Sequence, residues 1–281
     1  TIDLYERLSA STQITEDSLD SDATLRIGGR SLIVAQTTSD VAESAVLSTS
    51  VVAFVILGML VGTVLGSING ILITVLKLPP FIATLATMKG AQGLALITSD
   101  LKPVLFTTDV KGWDSIAQGN IIPNLPNAVL ILLVAAVVAS IILNKTVLGR
   151  YTFAIGSNTE ATKLSGVKVN RWLIAVYALC GFFVGLSAIV MTSRLGSAQP
   201  DLGLGYELEA IAAVIIGGTS LLGGKGTISG TIIGALIMSV LVNGLRILEL
   251  QQEWQYVITG IVIVLAVWGD NVRRRKTGEI S

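Results

Sequence analysis

The 281-residue chain contains no histidine, and with histidine go the commonest general base near neutral pH and the commonest metal ligand. Neither a catalytic centre of its own nor a metal site is expected. A single cysteine, Cys180, excludes an internal disulfide. It lies in an apolar run, where a thiol behaves as a small hydrophobe. Charge is scarce too: 14% of residues are charged, with 19 Lys and Arg against 19 Asp and Glu. Nucleic acid is therefore not an expected partner, because binding phosphates requires clustered positive charge.

What the chain has in quantity is apolar length. Hydrophobic residues make up 52% of it, arranged in runs comparable to the roughly 20 residues that a helix needs to cross a hydrocarbon core. The runs are 46–76, 81–98, 127–143, 173–192, 228–248 and 254–268. The first exceeds the requirement and must tilt, kink or protrude; Asn69 and Gly70 are the expected break. Residues 208–218 are apolar but too short to cross, which predicts a buried or re-entrant half-helix. The expected fold is all-α, a polytopic helical membrane protein with about six spans plus a re-entrant half-helix.

Between the third and fourth runs lies a polar island, NKTVLGRYTFAIGSNTEATKLSGVKVNR, at residues 144–171. It carries Lys145, Arg150, Lys163, Lys168 and Arg171 against one acid, Glu160. Such an excess in a short loop marks the cytoplasmic face. A second basic cluster, Arg273, Arg274, Arg275 and Lys276, follows the last run, and one topology puts both clusters inside. It also puts residues 99–126 outside and Lys77 inside. The domain division that follows is a polar segment 1–45, a transmembrane region 46–272 containing the island, and a basic tail 273–281. Segment 1–45 has no basic start, apolar core and cleavage site, so it does not read as a signal peptide. The same count leaves it outside with nothing in the sequence to carry it there, which implies upstream spans that are missing or altered.

Glycines recur every four residues at Gly58, Gly62, Gly66 and Gly70, again at Gly226, Gly230 and Gly234, and once more at Gly181 and Gly185. This spacing lines one helix face with hydrogen atoms and lets a second backbone approach closely. The two longer ladders each lead to an Asn-Gly pair, Asn69-Gly70 and Asn243-Gly244, and cross in opposite directions. That pattern fits an inverted repeat, although matches this short are also open to coincidence.

The run GGTSLLGGKGT, residues 217–227, invites a phosphate-loop reading and fails it. In one frame Gly224 stands where the motif needs lysine; in the other, Thr219 replaces the first glycine and Gly226 replaces the hydroxyl residue that binds magnesium. Energy for uphill transport must then come from another subunit or from an ion gradient. Ionisable residues in or beside the spans are Lys89, Glu207, Glu209 and Arg194, and each has an alternative as a snorkelling or interfacial group.

Three stretches resemble a known family: LPPFIATLATMKGAQGLAL at 78–96, AIGSNTEATKLSGV at 154–167 and SRLGSAQPDLGLGYELEAIAAVIIGGTSLLGGKGT at 193–227. They are similar to the membrane-spanning permease subunits of ribose-type ATP-binding-cassette importers. The resemblance implies that Gly156, Asn158, Glu160, Ala161, Thr162, Leu164, Ser165 and Gly166 form a coupling element that docks on a cytosolic ATPase. A helical turn there would place the small Ala161 and the apolar Leu164 on one face, with Gly166 ending it.

The resemblance further implies a second permease chain, an external solute-binding protein, a sugar or similar small polar solute, and a place in the bacterial cytoplasmic (inner) membrane. ATP and magnesium would reside on the partner, with no cofactor on this chain. Sugar hydroxyls call for neutral donors and acceptors and aromatic faces, which selects Asn69, Gln92, Gln199, Tyr206 and Asn243 as candidate path residues. One departure stands out: family members carry further apolar helices and a glycine-rich motif ahead of the first span, where this chain has only the polar 1–45. An ion-coupled carrier using Lys89 and a transport-inactive membrane protein are the alternative readings.

Overall fold

The computed structural model describes residues 25–27, 30–32, 34–106, 112–221 and 223–276. Residues 1–24 of the polar segment and 277–281 of the basic tail lie outside the described residues. The chain divides into two units, Thr1–Ser50 and Val51–Ser281. In the first, β1 (Leu25–Ile27) and β2 (Arg30–Leu32) pair antiparallel, with Arg26 opposite Ser31. Helix α1 runs from Val34 to Thr74, and its part in the second unit, Val51–Thr74, is long and apolar enough to cross a membrane.

The second unit continues with α2 (Pro80–Thr98), β3 (Val104–Leu105), α3 (Ser115–Gln118), α4 (Asn127–Lys145), α5 (Val147–Ser157) and α6 (Thr159–Leu164). It closes with α7 (Val169–Leu195), β4 (Ser197–Ala198), α8 (Tyr206–Ile216), α9 (Ile228–Ile247) and α10 (Gln252–Lys276). Among the described residues five helices have spanning length and hydropathy: the Val51–Thr74 part of α1, then α2, α4, α7 and α9. The sixth expected run is the apolar part of α10, Glu253–Gly269, which is shorter than the other five. Apolar side chains face outward on these helices, and none of α4 is buried, the reverse of a water-soluble core and the arrangement a lipid surround requires.

Local chemistry explains where the helices start and stop. Pro80 opens α2 at a position where a missing N–H leaves nothing unsatisfied. Gly196, at φ 62°, ends α7 in the left-handed conformation that glycine adopts without strain. Contrary to the expected break, α1 is helical through Asn69 and Gly70. Its hydroxyls turn back on its own carbonyls, Thr63 Oγ1 to Met59 O at 2.7 Å and Thr74 Oγ1 to Gly70 O at 2.7 Å. With these hydroxyls bonded to its own carbonyls and Gly70 packed on Ile174, the helix continues through the Asn69-Gly70 pair.

The glycine ladders set two close helix contacts. On α1, a Cβ at Gly62 would overlap the Gly181 carbonyl oxygen of α7, and one at Gly66 would overlap that of Tyr177. Gly185 returns the contact, a Cβ there lying 2.7 Å from Gly58 O. The second contact joins α8 and α9 antiparallel: Gly234 faces the Ala213 carbonyl and Gly230 faces Gly217. Ala212, Ala213 and Met238 form the buried cluster there, with Ile216, Val262 and Ile263 around it. With only 11 residues, α8 is about 16 Å long, half a hydrocarbon core of about 30 Å, and it packs against α9 and α10 as the predicted half-helix. Gly226 departs from expectation: it precedes the α9 cap residue Thr227 and packs on the Thr219 side chain, so it belongs to the loop and not to a face of α9.

Two contacts tie the connection after α2 to the end of α7. β3 pairs with β4, Val104 opposite Ala198 and Leu105 opposite Ser197. Ser193, fully buried on α7, accepts from Ala117 N at 2.9 Å and donates to Trp113 O at 2.7 Å. These bonds fix residues 104–105 and 113–117 against the start of the 197–205 turn.

Candidate functional site

The basic island folds into α5 and α6. The Thr146 hydroxyl caps α5 by accepting from Gly149 N at 3.4 Å. Asn158 ends α5 and caps α6, its Oδ1 accepting from Ala161 N at 3.0 Å. Six residues later the helix closes: Ser165 N reaches Ala161 O, Gly166 N reaches Lys163 O at 2.9 Å, and Gly166 takes φ +83°. An Asn158→Ala chain is expected to lose about 1 kcal/mol of local helix stability, read as faster amide exchange at residues 161–164 with the rest of the protein unchanged.

The burial pattern of α6 is inverted relative to polarity. Thr162, with its hydroxyl on Asn158 O at 2.8 Å, is buried, whereas Leu164 is 90% exposed and Ala161 is exposed beside it. Glu160 and Lys163 pair across one turn at 2.7 Å on the same outer surface. Polar anchoring beneath and an apolar residue on top describe a contact surface rather than a lid over a core. Beside α6 a cavity of about 480 Å³ is lined by Tyr151, Gly166, Lys168, Arg171 and Trp172; Tyr151 and Trp172 meet edge to face with centroids 4.8 Å apart.

Gly156 makes a contact that sequence reasoning missed. A Cβ there would lie 2.6 Å from Gly224 N, and one at Gly223 would lie 2.7 Å from Gly156 O. The glycine-rich run rejected as a phosphate loop is therefore a packing turn, with Gly223 at φ +90° and Gly224 at φ +76°. It joins the end of α5 to the connection between α8 and α9. The signal was present as consecutive glycines, but nothing in the sequence named the partner surface.

The candidate path residues do not converge as a single set. Gln92 on α2 donates from Nε2 to Asp201 Oδ1 at 3.3 Å, and Asp201 belongs to the turn that carries Gln199 and leads to Tyr206, through Leu202 N to Gln199 O and Tyr206 N to Gly203 O. Gln199 and Tyr206 are exposed there. Asn69 is elsewhere, on α1, its Oδ1 buried without a hydrogen-bond partner. Asn243 is exposed on α9, and no described hydrogen bond links it to the turn. Lys89 is exposed on α2 and donates to Gln92 Oε1 at 3.0 Å. At a helix centre in lipid a lysine costs about 3 kcal/mol. Among the other ionisable candidates, Glu207 accepts from Gly205 N at 3.0 Å at the start of α8, where the helix dipole favours an acid, and Arg194 lies in the last turn of α7.

Residues 28–267 match the family model described as branched-chain amino acid transport system / permease component. The chain belongs to this family of membrane permeases. Among its relatives, the ribose import permease protein RbsC of Bacillus subtilis is 44% identical over 235 residues, covering 84% of this chain and 73% of that protein. The ribose import permease protein RbsC of Haemophilus influenzae is 42% identical over 215 residues, 76% of this chain and 66% of that protein. The galactose/methyl galactoside import permease protein MglC of Escherichia coli is 37% identical over 235 residues, 81% of this chain and 69% of that protein. The chain thus spans about two thirds to three quarters of the length of these permeases. No solved structure matches it.

Proposed function

We infer that the chain is the membrane-spanning subunit of an ATP-binding-cassette importer that carries a sugar or similar small polar solute into the cytoplasm. ATP and magnesium are held by a cytosolic partner, a second permease chain stands alongside, and an external binding protein delivers the solute. The membrane is the bacterial inner membrane, with the α5–α6 island on its cytoplasmic side, as the excess of Lys and Arg there favours. Residues 46–272 act as the permease domain, with 1–45 and 273–281 flanking it. Its relatives, named as ribose and galactose permeases, support a sugar over the amino acid of the family's name.

The observation that carries this reading is Leu164, 90% exposed on a capped helix of six residues whose polar Thr162 faces inward. An exposed leucine on so small and well-anchored an element is suited to fill a pocket on a partner, where a single apolar anchor contributes much of the affinity. Replacing Leu164 with Asp is expected to weaken co-purification of the ATPase by about tenfold or more. Association at the unsubstituted level would overturn the coupling assignment. Uptake of radiolabelled ribose by the chain alone in liposomes, without an ATPase, would favour an ion-coupled carrier instead.

A further inference from the structure

Lys89, Gln92 and Asp201 form a hydrogen-bonded series across two elements, Lys89 Nζ to Gln92 Oε1 at 3.0 Å and Gln92 Nε2 to Asp201 Oδ1 at 3.3 Å. Lys89 stands midway along the 19 residues of α2. Both charged ends are exposed and the amide between them is half-buried. Ionisable side chains at such depth persist where they face a bundle interior or a water-filled cavity, not acyl chains. The face that carries Leu94, five residues on and about 140° round the helix, is apolar and 63% exposed at that residue. The side with Leu94 thus suits lipid, while the side of Lys89 carries a polar strip with Gln92, flanked by Leu85 and Ile82 at 38% and 58% exposure.

The trio also has a chemistry. Lys89 offers only donors, the Asp201 carboxylate only acceptors, and Gln92 both. A vicinal diol offers a donor and an acceptor on each oxygen, and so can be held by a cation on one hydroxyl and a carboxylate on the next. An aliphatic side chain would leave all three groups unmatched. The 3.3 Å bond to Asp201 is longer than the 2.7–3.2 Å of a well-formed N–H···O bond, so it is the one most readily exchanged for a solute hydroxyl.

Resting on the reading of the chain as a sugar permease, we propose that Lys89, Gln92 and Asp201 line the aqueous route and bind the hydroxyls of a polyhydroxylated solute as it passes. Lys89 donates, Asp201 accepts, and Gln92 keeps the two charges linked when the solute is absent.

The test measures uptake of radiolabelled ribose and galactose by the chain assembled with its ATPase and binding protein. Lys89→Met, Gln92→Leu and Asp201→Asn are each expected to lower uptake by about tenfold or more, as a site built around hydroxyls does when a partner is lost, with ATPase co-purification unchanged. Exchanging the charges, Lys89→Asp with Asp201→Lys, is expected to recover much of it. Uptake by all three variants within about twofold of the unsubstituted chain overturns the proposal.

A second measurement needs no transport. In a Cys180→Ser chain, Gln92→Cys and Asp201→Cys are expected to react with a charged, membrane-impermeant thiol reagent, and Leu94→Cys to stay unreacted. Reaction at 94 and none at 92 or 201 overturns the aqueous face. No uptake by the unsubstituted chain would count against the permease reading itself, and the labelling then still decides which side of α2 is wet.

Discussion

A Gly62→Leu chain is expected to unfold in mild detergent about 10 °C below the unsubstituted one, the effect of about 3 kcal/mol of overpacking on a domain of this size. The contact it breaks is backbone against backbone. A Cβ at Gly62 would overlap the Gly181 carbonyl oxygen, and Gly185 backbone atoms stand 3.0 Å away. No rotamer change relieves this, because the obstructing atoms are not at the end of a flexible side chain. The helices must separate, and the neighbouring contacts at Gly66 and Gly58 would open with them. Gly90→Leu on α2 is the control: nothing lies within 4 Å of a Cβ there, and helix propensity alone predicts a small gain in stability. Equal melting of the two variants would show that α1 and α7 are not held by the ladder.

That contact also shows what was legible in the sequence. The four-residue spacing of Gly58, Gly62, Gly66 and Gly70 required a close neighbour, but it could not say whether α7, α9 or another chain supplied it. The run lengths predicted the spans and the half-helix, because bilayer thickness converts directly into residue count. Break and ladder positions were less secure. Asn69-Gly70 reads as a break by propensity, yet the tight contact of Gly70 with Ile174 keeps α1 helical.

The likeness between the two Asn-Gly ends stops at the sequence, for a Cβ at Gly70 would meet Ile174 while one at Gly244 would meet nothing. In α6 the helical turn, with Ala161 and Leu164 on one face and Gly166 ending it, was readable from its own residues, whereas the Asn158 cap and the exposure of Leu164 appear only in the structure. Asp201 was not readable, because its tie to Gln92 joins residues far apart in the chain, and the nearby β3–β4 pair consists of two-residue strands that leave no periodic trace.

A Gly156→Leu chain is expected to bind its ATPase normally and to lose ATP-driven ribose uptake, by about a hundredfold if the overlap must be relieved by moving backbone. Gly156 lies on the last turn of α5, outside the exposed surface of α6, so the proposed docking residues Ala161 and Leu164 are untouched. Its Cβ would fall 2.6 Å from Gly224 N and 3.3 Å from Gly223 Cα. Both of those glycines hold positive φ, so the loop has no side chain to fold aside and has to shift bodily. It is bonded at both ends: Gly218 N and Thr219 N return to Ile215 O and Val214 O of α8, and the Thr227 hydroxyl caps α9 through Gly230 N. Any displacement of the loop is therefore passed to the half-helix and to α9. The same rigidity works in the other direction. If the partner docks on α6 as proposed, a pull there would move α5, and Gly156 against Gly223 and Gly224 would carry that movement towards α8, whose first residue follows the turn holding Asp201. Transmission requires that these elements have two packed arrangements which ATP binding biases. The measurement pairs uptake with ATPase co-purification in one preparation. Loss of both together would mean that the substitution has damaged α6, and retention of both would mean that α5 and the glycine loop slide past each other freely.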